Sequence, residues 1–206
     1  MFNRDQPIIG AYAQAEPENM ARVYRFVLAT IQQPLETVPI ILRDFDSEGT
    51  ASRFAFSSKR TALAWLEDNT QALYEGAMQV SEGDDAGLLS YFASLPGLGL
   101  VKGGFMAQLI FGRVGCLDMH NIVMLDITAS RFAASRFKSA KRDATRESIL
   151  QEYLWACRGG GGCEDLWNNW CDYVAELRPN VWANGDAVSA AHPEFICGRR
   201  LTAANL

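Results

Sequence analysis

Apolar residues recur along this chain at intervals of three and four, the repeat that lines up side chains on one stripe of an α-helix. In PENMARVYRFVLATI, Met20, Val23, Val27 and Ile31 form such a stripe. Pro17 suits the first position of that helix, where a backbone N–H is not needed. SSKRTALAWLEDNTQALY repeats Ala62, Trp65, Leu66 and Leu73 behind Ser57 and Ser58, both good capping residues. Between the two, RDFDSEGTASRFAFSS is the least helical stretch and predicts a loop with a short extended piece around Phe54–Phe56.

Downstream, DDAGLLSYFASLPG predicts a short helix that stops before Pro96, and LVKGGFMAQLIFG a second one closed by Gly112. MHNIVMLDITASRFAA predicts a third, capped by Asp118. RDATRESILQEYLWAC predicts a fourth, with Ile149, Leu150, Tyr153 and Cys157 inward. Four glycines (159–162) end it. CEDLWNNWCDYVAEL then carries Leu166, Trp170, Val174 and Leu177 on one stripe, NVWANG predicts a turn, and DAVSAAHPEFI a closing helix from Asp186. The expected fold is all-α: one helical domain over residues 1–206, of about nine or ten helices at the usual helix lengths, arranged as a two-lobed globule.

Composition narrows the function classes. Of 206 residues, 49% are hydrophobic and 21% charged, which suits a well-cored globular protein. No apolar run approaches the ~20 residues a membrane-spanning helix needs, so no membrane partner is expected. The N-terminal stretch lacks a basic segment followed by a long apolar one, so no secretory signal is read and a cytoplasmic location is expected. Five cysteines at irregular spacings (Cys116, Cys157, Cys163, Cys171, Cys197) read as reduced thiols. There is no C-x2-C pair of the kind a zinc site uses, so no metal and no cofactor is expected.

The charge is uneven. The formal net charge is −5, yet RFAASRFKSAKRDATR (131–146) holds six basic residues against one acid, leaving 13 basic and 23 acidic residues elsewhere. A basic stripe on an acidic protein reads either as a phosphate-facing surface or as a solvated helix start paired with acidic neighbours.

LPGLG, from Leu95 to Gly99, brings two flexible glycines to the start of a helix. Such a turn leaves backbone N–H groups pointing outward, a natural anion site, and Lys102 adds a positive charge one turn in. Phe111-Gly112 closes the helix and LDMHN follows, placing Asp118 about two dozen residues after Leu95. In this order and spacing the segment resembles the helix-hairpin-helix DNA glycosylases, the superfamily of endonuclease III. The likeness covers roughly 30 residues, within a helix-hairpin-helix and aspartate segment at about 87–130.

The resemblance implies a hairpin whose Gly97 and Gly99 grip a phosphate of double-stranded DNA. It also implies an Asp118 carboxylate that stabilises a cation-like sugar while an N-glycosidic bond is hydrolysed, after the nucleotide has been flipped from the duplex. His120 matches a histidine two residues beyond the family's aspartate. With Lys102 and the basic residues Arg136, Lys138, Lys141 and Arg142 it completes the expected DNA-contacting set.

Two departures change what is expected. Members that cleave the backbone carry a lysine two residues after the second hairpin glycine. Here that position is Val101 and the lysine is Lys102, rotated about 100° around the helix. Lys102 is therefore expected to face a phosphate rather than act as the catalytic amine, and a monofunctional hydrolase without strong lyase activity is expected. The cysteines do not match the family's iron–sulfur loop, so no cluster is expected.

Gly103 and Gly104, inside the same helix, each cost roughly 1 kcal/mol relative to alanine. They predict close approach of another backbone, a packed helix or DNA. Trp167, Trp170 and Trp182 read as core residues and His192 as a helix-end residue. Beyond residue 150 the chain resembles bacteriophage proteins, which would place it in a host cytoplasm or a virion. The competing function is then a non-catalytic structural or assembly protein with a protein partner.

Overall fold

The computed structural model describes residues 5–33, 37–38, 41–42, 57–176 and 196. The segment around Phe54–Phe56, the NVWANG turn, the helix expected from Asp186, and Leu177, Trp182, His192 and Cys197 lie outside them. Every regular element among the described residues is helical, so the chain is all-α. None of these helices is long and apolar enough to cross a membrane.

Helix α1 (Asp5–Ala15) has no counterpart in the periodicity above. It lies against the fifth helix, and Gly10 makes the approach possible: a Cβ there would stand 2.8 Å from the Ile110 carbonyl oxygen. Helix α2 (Pro17–Ala29) buries Met20, Val23 and Val27 as its stripe predicts, with Pro17 in its first turn. Helix α3 (Ser57–Ser81) runs further than its pattern and bends at Asn69, where φ is −128°. Asn69 Nδ2 donates to Trp65 O at 2.8 Å and Thr70 Oγ1 to Leu66 O at 2.9 Å. Polar side chains that return to the carbonyl four residues back are a recognised cause of bending.

Helix α4 (Asp85–Ser94) starts where Asp84 accepts from the Gly87 N–H at 2.8 Å, and stops before Pro96. Helix α5 (Leu100–Phe111) runs back against it. The two inner glycines of α5 are explained by packing inside the protein. A Cβ at Gly103 would lie 2.7 Å from the Ala93 backbone nitrogen of α4, and one at Gly104 would lie 2.4 Å from Gly115 O and 2.5 Å from the Tyr153 hydroxyl.

Helix α6 (Met119–Met124) is much shorter than the single helix expected through this stretch. The correction has a clear cause. Asp126 takes a left-handed φ of 54°, while its N–H returns to Val123 O at 3.2 Å and that of Ile127 to Ile122 O at 2.9 Å. This is a Schellman closure built on aspartate, which tolerates the left-handed region better than most residues. A 3-10 turn (Ala129–Phe132) and helix α7 (Ala134–Ser139) follow. Helix α8 (Asp143–Gly159) reverses into α9 (Gly162–Glu176) through Gly161 and Gly162, with φ of 91° and 86°.

The core gathers around α5. The Phe105 ring packs edge-on to Trp170 at 5.1 Å and tilted to Phe26 at 6.1 Å. Trp167 and Trp170 are both buried, as expected of core residues. Each such side chain removed from water contributes roughly 2–3 kcal/mol.

Candidate functional site

Leu95, Pro96, Gly97 and Leu98 form a tight turn, closed by Leu98 N–H donating to Leu95 O at 3.2 Å. Gly97 has φ of 75°, the third-position conformation of a type II turn that glycine adopts without strain. The turn is seated on α2 and α3: a Cβ on Gly97 would lie 2.8 Å from Leu28 Cδ2 and 2.9 Å from Ala62 Cβ. The Tyr24 hydroxyl donates to Pro96 O and anchors it further. Gly99 then opens α5 in extended conformation, with no side chain capping the helix. The first backbone bond of the helix is Gly103 N–H to Gly99 O at 2.7 Å. The amides of the first turn have no partner within a helix by construction, and they carry its positive dipole end.

Residues 113–118 carry the chain from α5 to Asp118. Gly115 N–H donates to Arg113 O at 3.0 Å, a three-residue γ-turn centred on Val114. Val114 has φ of 68°, a conformation that costs a β-branched residue energy. Tyr153 of α8 holds the next residues: its hydroxyl donates to Gly115 O at 3.1 Å and accepts from Leu117 N–H at 3.0 Å. Asn121 Nδ2 adds a bond to Cys116 O at 2.9 Å. Asp118 thereby becomes the N-cap of α6, accepting from Asn121 N–H at 2.9 Å. Burial pushes its carboxyl above the ordinary carboxylate range. The Asn121 N–H, the Lys102 ammonium and His120 pull the other way.

Lys102 sits in the first turn of α5. Its Nζ donates to Thr30 Oγ1 at 2.9 Å and lies 5.3 Å from the Phe105 ring centre. Lys59 reaches the same end of α2, where its ammonium donates to Ile31 O. It is buried, and that burial, together with the Lys102 charge, lowers its pKa to about 8.

A cleft of about 290 Å³ opens beside the turn. One wall is Gly97 to Lys102; the others are Ile31, Leu117 with Met119 and Ile122, and Phe132 to Ala134. The cleft brings together Gly97, Gly99 and Lys102 from the expected set. Asp118 stands between two wall residues, Leu117 and Met119, without being part of the wall. His120 is turned toward α9, its ring stacked on Tyr173 at 4.3 Å.

The basic segment begins at the cleft, because Ala134 at the head of α7 meets Gly99: a Cβ on Gly99 would lie 2.5 Å from Ala134 Cβ. Its six cations divide into two groups. Arg131 and Arg136 both pair with Glu152, the latter at 2.9 Å, and hold its carboxyl below the usual range against the opposing effect of burial. Arg146 donates to Ala140 O at 2.9 Å. Lys138, Lys141 and Arg142 are exposed, as Arg136 and Arg146 are, but have no such bond among the described residues. Both readings of the stripe therefore apply, to different residues: Arg136, expected among the DNA contacts, is held by an acidic neighbour, and three others project outward.

Thr30, Lys59 and Tyr153 are parts of this arrangement that the sequence did not single out by role. Only Tyr153 left a signal, its place on the inward stripe of α8. Among the described residues no group of three or more His, Cys, Asp or Glu side chains is placed to hold a metal ion. No protein-family model, curated protein or solved structure matches the chain.

Proposed function

We propose that this protein binds the phosphate backbone of double-stranded DNA, in the manner of the helix-hairpin-helix DNA glycosylases that its 95–121 segment resembles. The Gly97–Lys102 turn supplies backbone amides and the Lys102 ammonium. Lys138, Lys141 and Arg142 supply a second set of cations beyond the Gly99–Ala134 contact. The observation that carries the reading is the open end of α5: its first turn lacks a side-chain cap and forms the wall of a cleft beside a lysine. Such contacts fix position on the duplex without reading sequence. The strained Val114 turn that delivers Asp118 supports a role for that carboxylate, as the group that stabilises a cation-like sugar during monofunctional N-glycosidic hydrolysis.

Binding to a fluorescent duplex between about 50 and 200 mM salt tests the grip. The expected result is a log–log slope that becomes less negative by roughly one for each phosphate contact removed, in Lys102→Glu and in variants neutralised at Lys138, Lys141 or Arg142. Salt-insensitive binding, or none at about 50 mM salt, overturns it. Base release that disappears in Asp118→Asn would establish the chemistry, whereas a borohydride-trapped adduct lost in Lys102→Ala would overturn the absence of lyase activity.

A second reading, a non-catalytic structural or assembly role, draws on Trp155, which is 70% exposed on α8. It predicts a stoichiometric protein complex that Trp155→Ala dissociates.

A further inference from the structure

Arg131 and Arg136 converge on a single carboxylate. Glu152 takes one arginine on each of its oxygens: Arg131 Nε on Oε1, and Arg136 Nη2 on Oε2 at 2.9 Å. Arg136 Nη1 also donates to Arg131 O at 2.7 Å, which ties the two arginines to each other. The Arg131 guanidinium lies over the Phe132 ring, 5.7 Å from its centre. That ring packs edge-on to Tyr153, the residue after Glu152 on α8, at 5.0 Å. Phe132 to Ala134 form one wall of the cleft, and Arg131 and Arg136 flank that wall in the chain.

Two guanidiniums against one carboxylate leave a positive charge over, so the spot attracts anions even with Glu152 in place. Donors are left over as well. A guanidinium has more N–H groups than these bonds use, and the Arg131 terminal nitrogens make no hydrogen bond among the described residues. The two arginine side chains are 39% and 43% exposed, so an anion from outside reaches them without any unfolding. Arginine fits a carboxylate and a phosphate alike, two oxygens at a time. Glu152 thus holds the place of a phosphate. Ion pairs open to water hold weakly, and the partly exposed Glu152 side chain has water to turn into.

What displaces Glu152 is set by its tether. A carboxylate fixed to the same fold acts at a high effective concentration, and a free anion in solution does not. A phosphate already positioned by other contacts on the same strand meets Glu152 on equal terms.

We infer that Arg131 and Arg136 form a phosphate site that Glu152 fills in the free protein, and that a backbone phosphate of duplex DNA displaces the carboxylate on binding. The inference rests on the DNA-binding reading above and adds to it a site and a built-in competitor. The competitor discriminates: a free phosphate gains nothing from the Gly97–Lys102 turn and is excluded most.

The experiment titrates the full chain against a fluorescent duplex at about 50–200 mM salt, with melting curves taken on the same samples. Glu152→Gln keeps a hydrogen-bonding side chain and removes the charge; it should bind duplex severalfold more tightly than the wild type. Arg131→Gln/Arg136→Gln should bind more weakly, with a log–log slope less negative by roughly one. In that background Glu152→Gln should no longer tighten binding, because coupled residues are not additive. Asp143→Asn removes an equal charge from the first turn of the same helix, and its effect should be the same with or without the arginines. Arg136→Gln alone leaves the Arg131–Phe132 contact in place. It guards against a double variant that fails to fold, and should lose part of the Glu152→Gln gain.

A Glu152→Gln gain as large without the arginines as with them, or no gain at all, overturns the site, while duplex binding by the wild type leaves the DNA reading standing. Inorganic phosphate that releases duplex from the wild type, beyond the effect of chloride at equal ionic strength, assigns the arginines to free phosphate and overturns their assignment to the backbone. Failure of both the wild type and Glu152→Gln to bind duplex at about 50 mM salt removes the DNA reading and the inference with it.

Discussion

The two ends of α5 are built in opposite ways. At its C-terminal end Gly112 takes the left-handed conformation, with φ of 64°, and its N–H closes on Gln108 O at 3.1 Å. Side chains of α1 reach the last carbonyls: Gln6 Nε2 donates to Gln108 O at 3.0 Å, and Gln14 Nε2 to Ile110 O at 2.7 Å. Just beyond, Arg113 bridges Asp85 at 2.7 Å, Ser81 O at 2.7 Å and Gly83 O at 2.9 Å. At its N-terminal end no side chain caps the helix, and the turn faces a cleft. Orphan groups at a helix end need partners from somewhere. One end of α5 takes them from the protein itself, whereas the other has no side-chain cap and lines a cleft.

That contrast can be broken from the closed side first. Gly104→Ala is expected to have the largest effect, because its Cβ would meet Gly115 O and the Tyr153 hydroxyl inside contact distance. Overpacking of this kind costs about 1–3 kcal/mol and should lower Tm by several degrees. Tyr153→Phe should come next, since it strips partners from Leu117 N–H and Gly115 O. Leaving buried backbone groups unpaired costs about 1–3 kcal/mol, and loosening the approach to Asp118 should reduce any base release more than it reduces DNA affinity.

The two ends then predict different phenotypes. Gln14→Ala at the closed end should cost about 1 kcal/mol of stability, seen in urea titration, and leave the salt slope of DNA binding unchanged. Lys102→Glu at the open end should weaken DNA at least tenfold, and because Lys102 Nζ bonds Thr30 Oγ1 it should also cost about 1 kcal/mol of stability, so the two ends are told apart by DNA binding. If Gln14→Ala and Lys102→Glu bind DNA alike, the ends do not differ in role.

The smallest effects concern protons. Burial raises the Asp118 carboxyl above its ordinary value of 3.8. The folded protein therefore favours the protonated form, and the associated stability is present below that ordinary value and lost as pH rises through the folded one. Asn caps a helix as well as Asp does. Asp118→Asn should thus melt higher than the wild type at neutral pH, with the gap closing on acidification; a constant gap would show that the carboxylate charge is not its cause. Lys59 should titrate near pH 8 by NMR, and Lys102→Ala should move that value upward by removing a like charge.

Much of this molecule was legible in local pattern. The stripe of α2, the stop before Pro96, the Gly112 closure of α5 and the capping by Asp118 all rest on residues adjacent in sequence. Helix α1 was not legible, because what holds it is packing against α5 and two glutamines that bond to carbonyls about 100 residues away. The early end of α6 was hidden because aspartate, rather than glycine, occupies its left-handed closing position.

The site divides along the same line. Residue types and their spacing were sufficient to mark the turn, Lys102 and Asp118, since turn conformation and helix capping are short-range effects. Which cations are held by a partner could not be read there. Arg131 and Arg136 meet Glu152, and Arg146 meets Ala140 O, only once α7 and α8 have packed. The same holds for the Gly103–Gly104 pair: its cost within the helix was visible in sequence, but whether another helix or a ligand fills the space depends on Ala93, Gly115 and Tyr153, which arrive from elsewhere in the chain. Local conformation is encoded by neighbours within one or two turns, while charge pairing, burial and cleft shape arise from long-range packing, and that is settled only in three dimensions.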